Sequence, residues 1–234
     1  MKLMDFELNK KSGNQLDSEF EDMPNFSEHI QEVQSGKTPQ DLENTREQEM
    51  REVFSEIDQM HEIPNEAKFG LVGVTEDIKP AAEFYTYVAR TSAREEIEHI
   101  RKLLDRLRLV FIERIYECEY DNSMLGVSYY VSKSEDLARE VKEQFERRAD
   151  DDTGEADRKL GQLFGFPKTA TEWYIKQIKS GDYANSVPGY GFYIHSPQHA
   201  REEYEQYEAQ IMPAFEKYCP ISAGEMKNSQ ARED

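Results

Sequence analysis

PAAEFYTYVARTSAREEIEHIRKLLDRLRLVFIERIYECEYDNSMLGVSYYVSKSEDLAREVKEQFERR, residues 80–148, is the stretch that decides the fold. Ala82, Phe84, Thr86 and Val88 alternate with Glu83, Tyr85, Tyr87 and Ala89, which is the period of a strand. Ser92 and Glu95 form an S-x-x-E capping box at the start of a helix, and Ile97, Ile100, Leu104 and Leu107 recur at helical spacing behind it. Val110 to Tyr120 is rich in β-branched and aromatic residues, as is Met124 to Val131. The Asp121-Asn122-Ser123 turn between them predicts a hairpin with a loop of three to four residues. Ser132 and Glu135 repeat the capping box, and Leu137, Val141 and Phe145 line the helix that follows. Strand, helix, strand, strand, helix is the beginning of a ferredoxin-like split unit, expected with both helices on one face of the sheet.

Working outward, residues 1–37 are polar, with scattered Phe and Leu but no sustained period, and read as a flexible acidic tail. Thr38-Pro39 opens a helix with Thr as N-cap, Pro at the first helical position and Asp41 in the first turn. Met50, Val53, Phe54, Ile57 and Met60 give it one apolar face, and Pro64 stops it. Phe69 to Val74 (FGLVGV) is short and apolar, a buried strand or a packed loop. After the sheet, 150–157 carries acidic residues and almost nothing apolar, and reads as a linker.

Beyond that linker the chain is mostly helical. Leu160, Leu163 and Phe164 lie on a short helix ended by Gly165, Pro167 fixes a corner, and Thr169 with Glu172 makes a third capping box. Trp173, Tyr174 and Ile178 are expected to face inward. Ser196-Pro197 then caps a last helix with the stripe Tyr204, Tyr207, Ile211, Phe215 and Tyr218. The predicted class is α+β, a small antiparallel sheet of three to four strands with packed helices, followed by a helical C-terminal region. The expected divisions are an α+β domain over 38–149, a helical subdomain over 158–221 and a flexible tail over 222–234.

Composition excludes several function classes. The 29 Lys and Arg stand against 48 Asp and Glu, a formal charge of −19. Such a field repels phosphate backbones and anionic lipids, which argues against nucleic-acid and membrane partners. The acidity fits either an ordinary solvated surface or a halophilic-type surface adapted to high intracellular salt. No run of eighteen apolar residues occurs, and Met1 to Lys10 lacks the apolar core of a secretory signal, so the expected location is cytoplasmic. Cys118 and Cys219 are the two cysteines, too few for a cysteine zinc site or a disulfide framework, and read as small buried hydrophobes.

Few residues invite chemistry. His195 and His199 stand four apart near Glu202 and Glu203, a metal-ligand spacing if both share a helical face. Because Ser196-Pro197 starts the helix after His195, the plainer reading is a packed or turn-bonding His195, with His195, His199 and Glu203 as the alternative metal set. Tyr190 and Phe192 in GYGFY can present rings to a ligand or cover the helical corner. Phosphate-cradling glycine loops and the G-x-S-x-G elbow are both missing, and no cofactor is expected. Arg101, Lys102, Arg106 and Arg108 follow Glu95, Glu96 and Glu98 on one helix, which reads as charge pairing.

LGQLFGFP at 160–167 resembles the L-G-x-L-L-G-Y-P corner of an archaeal family called domain of unknown function 483. His195-Ser196-Pro197 with Glu202 and Glu203 resembles that family's second motif, roughly H-x-P-C followed by acidic residues. The family's adjacent cysteines fall here on Thr169 and Ala170, and its cysteine after H-x-P falls on Gln198. The resemblance thus implies a kept scaffold without thiol chemistry. Together these readings point to a non-enzymatic protein that binds a protein partner or a small molecule where the two motifs meet. The expected ligand-contacting residues are Gly165, Phe166, Pro167, Trp173, Tyr190, Phe192 and His195. The rival is an enzyme using His195 with Glu202 or Glu203.

Overall fold

A computed structural model describes residues 38–118, 120–181, 186–189 and 193–230. The chain divides into two units between Arg46 and Glu47. In the first, the start of α1 (Pro39–Gln59) is capped reciprocally. The Asp41 N–H donates to Thr38 Oγ1 at 3.2 Å, and the Thr38 N–H donates to Asp41 Oδ2 at 2.9 Å.

The second unit is α+β. Its strands β1 (Ala81–Ala89), β2 (Val110–Glu117) and β3 (Met124–Ser132) form an antiparallel sheet in the order β1-β3-β2. Tyr85 lies opposite Ser128, and Ile112 opposite Tyr130. Helix α3 (Ala93–Arg106) connects β1 to β2, so β3 enters between them as the split unit requires. A second, two-stranded sheet pairs β4 (Val187–Pro188) with β5 (Ile194–His195).

The helices of the split unit lie on opposite faces, not on one. Ile97, Ile100 and Leu104 of α3 share a buried cluster with Phe84, Val127 and Tyr129. Val141 of α4 (Glu135–Arg148) instead joins Ala81 and Tyr130. Tyr129 and Tyr130 are adjacent on β3, and adjacent strand residues point to opposite faces. The second face needs α4 because α5 (Glu155–Leu163) brings Leu160 and Leu163 there as well.

Phe69 to Val74 is neither strand nor loop. It lies in α2 (Asn65–Thr75), where every residue from Ala67 to Thr75 is buried. A helix buried all round shows no amphipathic period, which is why the sequence hid it. The C-terminal segment also differs from a free tail, since α9 (Pro220–Gln230) buries Ser222, Ala223 and Met226. Asp58 at the end of α1 holds it by accepting the Ile221 and Ser222 N–H groups at 2.9 and 3.0 Å.

The sequence's later capping boxes are replaced by other contacts. Ser92 Oγ turns to the Glu96 carboxylate. Ser132 Oγ donates to Pro80 O at 2.8 Å while Ser134 takes the N-cap position of α4. Glu172 pairs with Arg158 at 2.7 Å. The loop between β2 and β3 runs over 118–123, longer than expected. Residues 150–157 are not a loose linker but a tight turn over 150–154 followed by the first turn of α5: Asp151 accepts N–H bonds from Thr153 and Ala156 at 2.8 and 2.7 Å. The basic strip is paired on its own helix through Glu98, 3.5 Å from Arg101 and 3.7 Å from Lys102, and also across elements, with Arg101 Nε 2.9 Å from Glu113 and Arg106 3.2 Å from Glu56.

Ending the chain at Cys219 should therefore lower the stability of the protein by about 3 kcal/mol, the scale of burying Met226 and Ala223 plus a lost cap. Urea denaturation checks it, and an unchanged midpoint would return 220–230 to the status of a tail.

Candidate functional site

Gly165 ends α5 with φ +69, in the left-handed region where a side chain is strained. The Gly165 N–H donates to Gln162 O at 3.1 Å and the Phe166 N–H to Gly161 O at 2.8 Å, the paired bonds of a Schellman turn. The turn aims Phe166 back at the core, and Pro167 occupies the N-cap position of α6 (Lys168–Ser180). Phe166 stacks on Tyr193 with ring centres 4.8 Å apart, and Tyr193 meets His195 edge-on at 5.0 Å. The two motif stretches thus meet through rings.

His195 is 4% exposed and sits between two buried carboxylates. Its Nε2 lies 3.0 Å from Glu208 Oε1, and its Nδ1 lies 3.3 Å from Glu203 Oε2 without hydrogen-bond geometry. Glu203 is committed to the turn, accepting the Ser196 N–H at 2.7 Å and the Ser196 hydroxyl at 2.9 Å. Tyr193 donates to Glu208 at 3.2 Å, and burial beside Glu208 pushes its phenol well above the ordinary value.

The expected single last helix is broken to make this cluster. Helices α7 (Ala200–Gln206) and α8 (Glu208–Tyr218) join at Tyr207, whose φ −121 and ψ −67 are not helical. Residues 203 and 208 on one unbroken helix would point about 140° apart. The break lets both reach one imidazole.

Tyr207 leads to a residue the sequence reading did not name. Lys79, just before β1, is buried with Nζ 3.2 Å from the Tyr207 hydroxyl. Its ammonium sits 5.5, 5.6 and 5.7 Å from the ring centres of Phe164, Phe166 and Tyr207. Among the described residues no carboxylate lies within ion-pair distance of it. Two glycines leave room for its stem: a Cβ on Gly73 would stand 2.7 Å from Lys79 Cδ, and one on Gly165 would stand 3.3 Å from Lys79 Cβ. Beside the amine is a cavity of about 10 Å³, bordered by Glu66, Glu83, Phe164, Phe166 and Tyr207. Burial pulls the Lys79 amine down to about 7. Burial likewise pushes the half-buried Glu83 carboxyl up to about 7, against the pull of Arg148.

The remaining expected residues lie elsewhere. Trp173 is half-buried and donates Nε1–H to Ser186 at 3.2 Å, and Ile175, not Ile178, turns inward on α6. Tyr190 and Phe192 lie outside the described residues. His199 is half-exposed with Nδ1 3.4 Å from Glu202. Among the described residues no group of three or more His, Cys, Asp or Glu is placed to hold a metal ion. The metal set of His195, His199 and Glu203 is therefore not assembled. Tyr204 is exposed, whereas Tyr207, Ile211, Phe215 and Tyr218 are buried. Cys219 is buried, which raises its thiol far above the ordinary value, and Cys118 is half-buried.

A wider groove of about 540 Å³ lies at the turn between α1 and α2, near His61, Glu66 and Glu225. Its Lys68 is already spent on Asp58 O and Ser222 Oγ, at 3.0 and 3.2 Å. That groove is separate from both motif stretches.

No family model, curated protein or solved structure matches the chain. The likeness at 160–167 and 195–197 stands on its residues alone. No described helix is long and apolar enough to cross a membrane.

Lys79 and Glu83 give stability a distinctive pH dependence. Unfolding returns Glu83 to its ordinary 4.5 and Lys79 to 10.5. The folded state holds the extra proton on Glu83 between 4.5 and 7, so its contribution falls as pH rises through that range. The unfolded state holds the extra proton on Lys79 between 7 and 10.5, so stability recovers there. These two groups together place a minimum near pH 7. Lys79→Met should stabilise the protein at pH 7 by on the order of 3 kcal/mol and remove its share of the rise toward pH 10. Denaturation of both proteins at pH 5, 7 and 9 checks it, and parallel curves would refute the assignment.

Proposed function

We propose that the protein is a non-enzymatic binding protein whose ligand-contacting corner is the ring cluster of Phe166, Tyr193 and Tyr207 around Lys79. The observation that carries this reading is the Lys79 ammonium, buried against three rings and in no ion pair among the described residues. A lysine stem with an unpaired charge costs stability, and such costs collect at functional sites. A purely packed corner is served better by Met or Leu.

His195 supports the same reading from the other side. A general base needs a free lone pair facing a substrate. Its Nε2 faces Glu208, and the acid partner that an enzyme would use, Glu203, is engaged by Ser196. We read His195 as the pin that ties the β5 turn to α7 and α8. His195→Ala should cost about 3–5 kcal/mol, because it strands two buried carboxylates, while His195→Gln should keep the fold. Thermal unfolding of both variants tests the pin. A His195→Gln protein as stable as the parent that loses a measured turnover would favour the acid–base enzyme instead.

The ligand is a small molecule or a protein partner, not a nucleic acid, given the charge of −19. Native mass spectrometry of protein from its host tests the whole proposal: a bound mass lost in Phe166→Ala is expected, and a stoichiometric metal without one would replace it. The halophilic-type reading of the surface carries its own outcome. Below about 0.5 M salt, where screening no longer shortens carboxylate repulsion, an adapted protein loses its cooperative transition, and an ordinary acidic surface keeps it.

A further inference from the structure

Lys79 differs from the other buried lysine in what its nitrogen touches. Lys68 Nζ donates to Asp58 O and to Ser222 Oγ, and the Asp58 carboxylate helps hold its charge. Among the described residues Lys79 Nζ hydrogen-bonds one oxygen, the Tyr207 hydroxyl, and lies over the rings of Phe164, Phe166 and Tyr207. Its stem passes the close approach at Gly73 and the strained turn at Gly165, so three separate segments are shaped to bring one amine to this place. The room left beside the nitrogen is that of one water-sized group.

An amine in such a box has the features of a nucleophile. The rings disfavour a hydrated ammonium but stabilise a compact cation over their faces. The hydroxyl at 3.2 Å can give and take a proton without adding charge. The small cavity selects by size, and Glu66 and Glu83 at its border disfavour anionic reagents. What fits is a neutral one-carbon carbonyl compound, whose imine adds a single heavy atom beyond the nitrogen.

We propose that the Lys79 amine is a reversible covalent site for a one-carbon aldehyde, held as an imine inside the Phe164, Phe166 and Tyr207 box. This deepens the binding reading above and rests on it. The Nζ lone pair adds to the carbonyl carbon, the C=O π pair moves to oxygen, and Tyr207 protonates that oxygen. The nitrogen returns a proton to Tyr207, and loss of water from the carbinolamine leaves C=N. Protonation gives an iminium in the position that the ammonium now holds, and water reverses each step. No oxidant or reductant is consumed.

The test uses the full chain with formaldehyde and cyanoborohydride at pH 7, followed by peptide mapping of methylated lysines. At limiting reagent, Lys79 should carry most of the label, at least tenfold above exposed Lys102 and Lys176. Tyr207→Phe should slow labelling at Lys79 several-fold and leave Lys102 unchanged, which a merely structural Tyr207 would not do. Lys79→Arg should abolish the selective label in a folded protein. Labelling of Lys79 only after denaturant is added, or no faster than at Lys102, overturns the imine. Aromatic NMR signals of Phe166 and Tyr193, followed with formaldehyde alone, then separate the two claims. Shifts without trapping leave the binding reading standing, and neither shift nor trapping removes both.

Discussion

The Lys79 side chain runs from the start of the sheet past the backbone of α2 and the Gly165 turn to the Tyr207 hydroxyl. Four segments are therefore fixed relative to one another by a charge that makes no ion pair among the described residues. The aromatic box returns part of the lost hydration through the faces of three rings, and the hydroxyl accepts one hydrogen bond. Packing dictates the glycines on either side: Gly73 has to be Gly because Lys79 Cδ fills the place of a Cβ, and Gly165 because its φ is +69.

A second buried polar group, built on the opposite principle, lies against the same rings. Around His195 the two carboxylates are met by the imidazole Nε2, the Tyr193 hydroxyl and the Ser196 turn, while Nδ1 lies 3.3 Å from Glu203 without a hydrogen bond. Paired polar networks rigidify a fold. The break at Tyr207 serves both groups, bringing Glu208 to the histidine and its own phenol to the lysine. Tyr207 and Tyr193 meet edge-on at 4.8 Å, so one aromatic wall separates a closed ionic pin from an amine with a cavity beside it.

The segments with a clear period were legible. The alternation of Ala82 to Val88 and the spacing of Ile97 to Leu107 each describe an element with one buried face and one wet face. The Gly165 corner was legible because a left-handed turn requires a particular residue type. Other features left no local trace. Phe69 to Val74 is surrounded by protein, so its helical period vanished. Ser132 of a later capping box found a partner distant in sequence, Pro80 O, and Ser92 turned to Glu96 one helical turn on. The pairing of α3 and α4 with opposite faces followed from the arrival of α5, which no pattern within 80–148 contains.

The sequence by itself determined the α+β class, the split order of strands and helices, the helix stop at Gly165 and the formal charge of −19. These follow from local periodicity, backbone conformation and summed charge, all of which are properties of neighbours along the chain. Tertiary structure alone decided which residues form the candidate site. Lys79 before a proline reads as an ordinary turn lysine, and Tyr207 as one member of an aromatic stripe. Only the meeting of segments 128 residues apart strips water from that amine and sets it among rings, because desolvation is a property of what surrounds a group in space.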